Sequence, residues 1–423
     1  MGENARKLSL ESAKIQLHDI YGETEESLKR YNSLAEKFKN KFGNYSGEFF
    51  TAPGRTEILG NHTDHNCGKV LTASINMDTI GIARINNSKM VRVVSEPYNQ
   101  EITLDLDQLD MYKKAGGTYS LLAGMFEGVQ VYGFNISGFD AYLHTNVIEA
   151  AGVSSSASFE MLICSIVNYY FNEGKMDCVQ YAKIGKYAEN TYWCKNSGLL
   201  DQMACAIGGT VYIDFVNPEK PFIKNIDFDY DQMGYDLVMI NTGRGHADLS
   251  AEYSMIPNEM KMVARYYDKE YLSEVEEGTF IKDISDIRVK LGDRAVMRAL
   301  HFFEENKRVA RAMEVIENRQ YKQLIPIIYE SGNSSWKWLQ NCYCDHTVNE
   351  QSIPIVLAIT ELYLRKIGQG CCRVHGGGFA GVIMCLIPKD FTLEYLGYME
   401  GIVRRDNMYV LKIRKTGAKH LDL

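Results

Sequence analysis

Apolar positions along the chain change period several times. In the N-terminal stretch, Leu28, Tyr31, Leu34 and Phe38 recur at helical spacing between charged residues, with Gly22 and Gly43 as breakers. This predicts one or two amphipathic surface helices. From Gly47 to about Ser95 the texture becomes short β-type runs, "GEFFTAPG", "KVLTASINMDTIGIARI" and "MVRVVSE", and "FDAYLHTNV" is a further strand. "FEMLICSIVNYYFNEG" is apolar on most sides and predicts a buried helix; "GLLDQMACAIGGTVYIDF" predicts a turn, a short helix and a strand. "YDLVMINTG" is another buried strand, and a helical period then dominates from Ala251 to Ile367. Strands return around "CCRVHGGGFAGVIMCLIP" and "NMYVLKIRK".

At 423 residues the chain exceeds what one hydrophobic core usually supports, so two α+β domains are expected. The polar segment "NPEKPFIKNIDFDYDQMG", with two prolines, places their boundary between residues 217 and 235; we divide the chain into 1–225 and 226–423. Acidic residues outnumber basic ones by 54 to 46, for a net charge of -8, and no Lys/Arg run stands out. That disfavours a nucleic-acid partner. A phosphorylated ligand stays open, because backbone N–H groups and a bound cation can offset phosphate charge locally. Neither a secretory leader nor a run of about 18 apolar residues is present, so a cytoplasmic protein without a membrane partner is expected. The ten cysteines are scattered, without zinc-knuckle spacing, and are expected to be reduced thiols.

Two segments carry candidate chemistry. "EAAGVSSSASFEML" sets small residues from Ala150 to Ser158 ahead of a buried helix. Such a loop can bend closely around an anion, and the helix end offers unpaired N–H groups and a partial positive charge. It lacks the G-K-[ST] ending of a Walker A loop, and a serine-rich helix cap is its plainer reading. "GRTEILGNHTDHNCGK" gathers His62, Asp64 and His65, which can hold a metal, bind a sugar or cap a turn. The histidines are three apart rather than four as in HExxH, which disfavours zinc.

Four segments in order resemble one family. "GRTEILGNHTDHNCGKVL" resembles the galactokinase signature GRVNLIGEHTDYNxGxVLP, and "GVSSSAS" resembles the GLSSSAS phosphate loop. "NSGLLDQMACAIG" resembles CGIMDQ, and "RVHGGGFAG" resembles RxTGGGFGG. On these motifs the chain is identified as a member of the galactokinase branch of the GHMP kinase superfamily, over roughly Gly47 to Pro388. The resemblance implies a two-domain GHMP kinase fold, with a ribosomal-protein-like α+β N-terminal domain and a ferredoxin-like α+β C-terminal domain. It also implies an ATP-dependent 1-kinase that converts D-galactose to galactose 1-phosphate and ADP, as in the Leloir pathway, and a monomer whose partners are small molecules.

By the same resemblance, Asp201 is the catalytic aspartate and Arg55 its partner. Gly152, Val153, Ser154, Ser155, Ser156, Ala157 and Ser158 bind ATP, and Ser156 and Glu189 hold Mg²⁺. Asn61, His62, Asp64, Gly198 and Tyr253 bind the sugar, and Gly376 to Gly378 form backbone turns near the substrates. The roles suit phosphoryl transfer, which needs phosphates held, charge neutralised and the acceptor hydroxyl placed in line. Departures from the pattern bear on the sugar more than on the reaction. Asn61 stands for Glu, His65 for Tyr, Thr56 and Glu57 for Val and Asn, and His375 for Thr. Galacturonate, L-arabinose or an N-acetylhexosamine are therefore alternative acceptors. A non-catalytic sugar and ATP sensor is a further alternative, disfavoured by the intact "SSSAS", Glu189 and Asp201.

Overall fold

A computed structural model describes residues 10–43, 46–96, 100–148, 152–193, 197–243, 249–344 and 349–423. Ala150 and Ala151 of the predicted phosphate loop lie outside these residues.

The first sheet contains β1 (Glu48–Leu59), β2 (Lys69–Ile85), β3 (Met90–Glu96), β4 (Gln100–Asp105) and β5 (Phe139–Thr145). It also contains β6 (Thr210–Asp214), β7 (Phe222–Ile226) and, from far along the chain, a strand at residues 419–421. The order is that late strand, then β1-β2-β5-β3-β4, with the β6–β7 hairpin paired to the first part of β2. The second sheet is built from β8 (Tyr235–Asn241), β9 (Cys371–His375), β10 (Val382–Pro388) and β11 (Met408–Leu411), in the antiparallel order β11-β8-β10-β9. The late strand, β12, is Lys419–Leu421.

Helices cover both sheets, which explains why central strands such as β10 are buried at every position. On one face of the first sheet lie α1 (Leu10–Tyr21) and α2 (Glu25–Phe42); Leu17, Tyr31, Leu34 and Phe38 pack on Phe49, Ile80 and Ile82. On the other face lie α3 (Gly117–Val131), α4 (Ser155–Phe171), α5 (Cys178–Thr191) and α6 (Leu200–Ile207), against Phe50, Ala52 and Ala83. Successive residues of β1 thus point to opposite faces, as pleating requires.

Four further helices, α7 (Ser250–Tyr266), α8 (Glu277–Leu291), α9 (Asp293–Glu317) and α10 (Leu324–Ser334), follow β8. The second sheet buries Leu237, Met239, Met384 and Leu386 against α9, α10 and the ends of β1 and β2. Its opposite face, with Val238, Ile383 and Cys385, meets α11 (Ser352–Ile367) and α12 (Thr392–Met399). One apolar cluster therefore joins the two sheets, and the site lies beside this junction.

Two predicted features differ in detail. The run predicted to end at Gly54 continues to Leu59, because bulges at Pro53/Arg55 and Glu57/Leu59 let β1 stay paired with β2 through the motif. The polar segment 217–235 is not all linker, since it supplies β7.

Candidate functional site

The phosphate loop is joined to β1 at its base. Arg55 N–H donates to Val153 O at 3.1 Å, and Arg55 Nη1 donates to Gly152 O. Gly152 and Ser154 both have positive φ, 63° and 61°, which turns the chain sharply into α4. For a serine that conformation is strained by about 1–3 kcal/mol, a cost usually met at a functional turn. The first-turn N–H groups of α4 then project from the helix end, where no intrahelical acceptor exists.

The loop serines have separate tasks. Ser154 Oγ donates to Asp201 Oδ2, and Ser156 Oγ donates to Glu189 Oε1 at 3.1 Å. Ser155 opens the helix. Ser158 departs from its expected ATP contact, because its hydroxyl is fully buried and donates to Ala52 O at 2.7 Å, tying α4 to β1. Val153 and Ala157 are likewise buried core residues that shape the loop through their backbone.

Asp201 is the centre of the arrangement. Its Oδ1 accepts from Arg55 Nε at 2.7 Å while Oδ2 accepts from Ser154. The arginine side chain is 7% exposed and the aspartate 31%, so the carboxylate reaches solvent and the guanidinium is held behind it. Burial pulls the arginine's pKa down, but Asp201 and Glu57 outweigh it and raise the value above normal. The bulge after Pro53 aims Arg55 at this position.

Glu189, on α5, is buried and accepts from Ser156, Ser197 and Gln202. A carboxylate and a hydroxyl side by side at the phosphate loop suit Mg²⁺, which keeps several waters and takes phosphate oxygens as further ligands.

The turn after β1 is pinned on several sides. Gly60 N–H donates to Glu305 Oε1 at 3.0 Å. Burial raises the Glu305 pKa, but Arg308, His301 and Arg373 outweigh it and hold the group at about 2. His62 Nε2 lies 3.0 Å from Gly377 O. A carbonyl only accepts, so Nε2 carries the proton and Nδ1 is an acceptor, buried without a partner among the described residues. Burial, with His65 adding to it, lowers the His62 pKa to about 3 and keeps the ring neutral.

Asp64 Oδ2 accepts from Leu200 N–H at 3.3 Å, which brings the turn against α6. A Cβ on Gly198 would fall 1.7 Å from that oxygen, so this close approach requires glycine. His65 Nε2 is 3.2 Å from Tyr253 Oη, and both rings pack with His62. Burial raises the Tyr253 phenol well above its ordinary value, so it stays a neutral hydroxyl.

The structure therefore brings Arg55, Asp201, Ser154, Ser156 and Glu189 together, and sets His62, Asp64, Gly198 and Tyr253 around Asp201. Asn61 lies on the wall between the turn and the second sheet, with its amide taken up by protein atoms. Nδ2 donates to Gly376 O at 2.8 Å and to Glu57 Oε2 at 3.3 Å; Oδ1 accepts from Asn341 Nδ2 at 2.9 Å. Glu57 in turn pairs with Arg373 at 2.7 Å, and His375 Nε2 accepts from Glu57 N–H at 3.0 Å. Sequence reasoning saw Glu57 and His375 only as departures and missed Asn341, which lies in no motif. A carboxylate directly before the apolar pair Ile58 and Leu59 was the available signal for Glu57.

Two family models, a curated relative and solved structures match the chain. Residues 36–85 match the family model described as galactokinase galactose-binding signature, and residues 120–209 match GHMP kinases N terminal domain. A galactokinase of Clostridium tetani is 28% identical over 368 residues, spanning 85% of this chain and 88% of the relative. The crystal structure of Lactococcus lactis galactokinase complexed with galactose superposes with a TM-score of 0.78 at 25% identity, covering 93% of this chain and 100% of that one. A Methanococcus jannaschii mevalonate kinase shares the fold, with a TM-score of 0.60 at 12% identity over 88% of this chain and 99% of its own.

Proposed function

We propose, for a chain that belongs to the galactokinase family of GHMP kinases, that it transfers the γ-phosphoryl group of ATP to the anomeric hydroxyl of D-galactose. The observation that carries this reading is the joining of Asp201, through Arg55 and Ser154, to a loop that ends in the partly exposed N-terminus of α4. Acceptor and donor groups are thereby fixed relative to one another, and such positioning is most of what phosphoryl transfer requires.

In this reading the loop from Gly152 to Ser156 cradles the ATP phosphates with its N–H groups. Glu189 and Ser156 hold Mg²⁺, which supplies charge neutralisation at the phosphates. The sugar lies among Asp64, His62, Gly198 and Tyr253, with His62 Nδ1 accepting a hydroxyl proton. Asp201, held by Arg55 and Ser154, accepts the anomeric proton as the oxygen attacks phosphorus. Arg55 keeps that carboxylate ionised and in place. The reading also divides the chain at residues 225 and 226 and takes the protein as a cytoplasmic monomer.

A coupled ADP assay with galactose, galacturonate, L-arabinose and N-acetylgalactosamine tests it. Galactose is expected to be turned over fastest. Rapid turnover of another sugar with none of galactose would replace the acceptor, and sugar binding without turnover of any would leave a sensor. A uronate asks for a further cation beside the acceptor, and Arg55 is already committed to Asp201 and Gly152.

A further inference from the structure

Beyond Thr51, which pairs with Lys419 of β12, the edge of β1 away from β2 has no strand beside it among the described residues. Amides two apart on a strand point to the same edge, and here two of them are taken up from outside the sheet. Arg55 N–H donates to Val153 O in the phosphate loop at 3.1 Å, and Glu57 N–H donates to His375 Nε2 at 3.0 Å. Arg373, two residues before His375 and on the same face of β9, gives Nη2 to Glu57 O at 2.8 Å and to Glu57 Oε1 at 2.7 Å. Two side chains of the second sheet thus do for this edge of β1 what a neighbouring strand would do.

His375 stands where the family turn RxTGGGFGG has Thr. A threonine hydroxyl ends at the γ position, whereas an imidazole carries Nε2 two bonds further out. A backbone N–H only donates, so Nε2 is unprotonated, and its lone pair also meets Thr56 Oγ1 at 3.1 Å. The proton of the neutral ring is therefore on Nδ1. Burial, with Arg55 and Arg373 nearby, takes the pKa well below its ordinary value and agrees with that state. Nδ1 has no partner among the described residues, and a Cβ on Gly152 would lie 3.4 Å from it. Gly152 is also the residue whose carbonyl accepts from Arg55 Nη1. The ring, 1% exposed, is wedged between two residues that fix Arg55: Glu57, two places along its strand, and Gly152, at its guanidinium.

We propose that His375 is a positioning residue for Arg55. Its Nε2 sets the unpaired edge of β1, and its ring sets the spacing between that edge and the phosphate loop, so that the guanidinium meets Asp201. The inference rests on the sugar-kinase reading and adds to it a residue that acts only through Arg55. A displacement of about 1 Å at the reacting groups costs about 100-fold in rate, which is the order of effect expected when the strand loses this support.

The test compares His375→Gln with His375→Asn in the coupled ADP assay with galactose. Glutamine returns an acceptor to the place of Nε2; asparagine reaches only the place of Nδ1 and leaves Glu57 N–H without a partner. H375Q is expected to keep kcat within about threefold of the wild type. H375N is expected to lose about 10- to 100-fold in kcat, with KM for galactose and for ATP changed by less than about threefold. In an Arg55→Lys background H375N should lower the remaining kcat by less than about threefold, because two changes that act through one group do not add. Equal kcat in H375Q and H375N, or losses of equal size in the two backgrounds, overturns the proposal, as does a change confined to KM. Should H375N fail to fold, H375Q decides alone, and a kcat more than about tenfold below the wild type overturns it. Should R55K turn over too slowly to measure, the contrast between H375Q and H375N decides. A wild-type protein that phosphorylates no sugar overturns the kinase reading, and this inference with it.

Discussion

Asp201 and Gly198 lie three positions apart and fail in different ways when altered. Asp201→Ala removes the proposed proton acceptor and leaves Arg55 and Ser154 facing each other; kcat is expected to fall by about 10²–10⁴. Galactose binding by calorimetry should persist, since Asp64, His62 and Tyr253 are untouched, and unchanged turnover would refute the mechanism. Gly198→Ala forces a methyl group to within 1.7 Å of Asp64 Oδ2, so the carboxylate must move. The expected result is a raised KM for the sugar with a smaller change in KM for ATP, measured by steady-state kinetics. Both residues were legible in the sequence through motif position. Ser154 was legible only as a phosphate ligand; that its hydroxyl holds Asp201 depends on a positive φ and a contact 47 residues away, which no local pattern encodes.

Helix α4 shows how one element divides its residues between chemistry and anchorage. Ser156 and Ser158 are adjacent to Ala157 on either side, yet one faces Glu189 and the other faces β1 and β2, bonding Ala52 O at 2.7 Å and Thr79 Oγ1 at 2.8 Å. Ser158→Ala is expected to cost about 1–3 kcal/mol in denaturant unfolding. Ser156→Ala should leave the unfolding midpoint nearly unchanged, lower kcat and raise the Mg²⁺ concentration needed for half-maximal rate. The reverse pattern, stability lost at 156 and rate lost at 158, would contradict the assignment. Periodicity identified α4 and its apolar character because nearly every face is buried. It could not say which hydroxyl faces inward, since that depends on the crossing of the helix over β1. The continuation of β1 through Gly54 to Leu59 escaped the sequence for a similar reason: two bulges keep a glycine-containing motif paired where the period alone suggests a turn.

At the scale of the whole molecule, the junction of the two sheets is held by histidines buried in neutral form. Burial lowers His62 to about 3 and His301 to about 4, and takes His375 well below its ordinary value. Each folded pKa lies below the unfolded value near 6.5, so between those limits the unfolded chain binds more protons. Stability is then fully present above about pH 6.5 and declines as pH falls towards the folded values, by about 1.4 kcal/mol per pH unit for each histidine. Denaturant unfolding at pH 7.5 and 5.5 should show this fall, and replacing His301 with Gln should make it shallower; a flat profile would exclude neutral burial. The helical order from 251 to 367 and the strands of the second sheet could be read along the chain. That α9 reaches back to the sugar turn through His301 and Glu305 could not, because those two residues read only as polar positions on a long helix.

The pairing of β12 with β1 has a consequence for how the molecule is made. His420 bonds Glu48 across 372 residues, and Leu421 completes the cluster that seats α1 and α2. On the ribosome, the strand that carries Arg55 thus waits with one edge unpaired while nearly all the rest of the sequence emerges. Unpaired edges recruit other chains, so a nascent or prematurely terminated product is an aggregation hazard and a natural client for chaperones. Release of a chain stopped before residue 419 should yield insoluble protein even though every proposed catalytic residue has been synthesised.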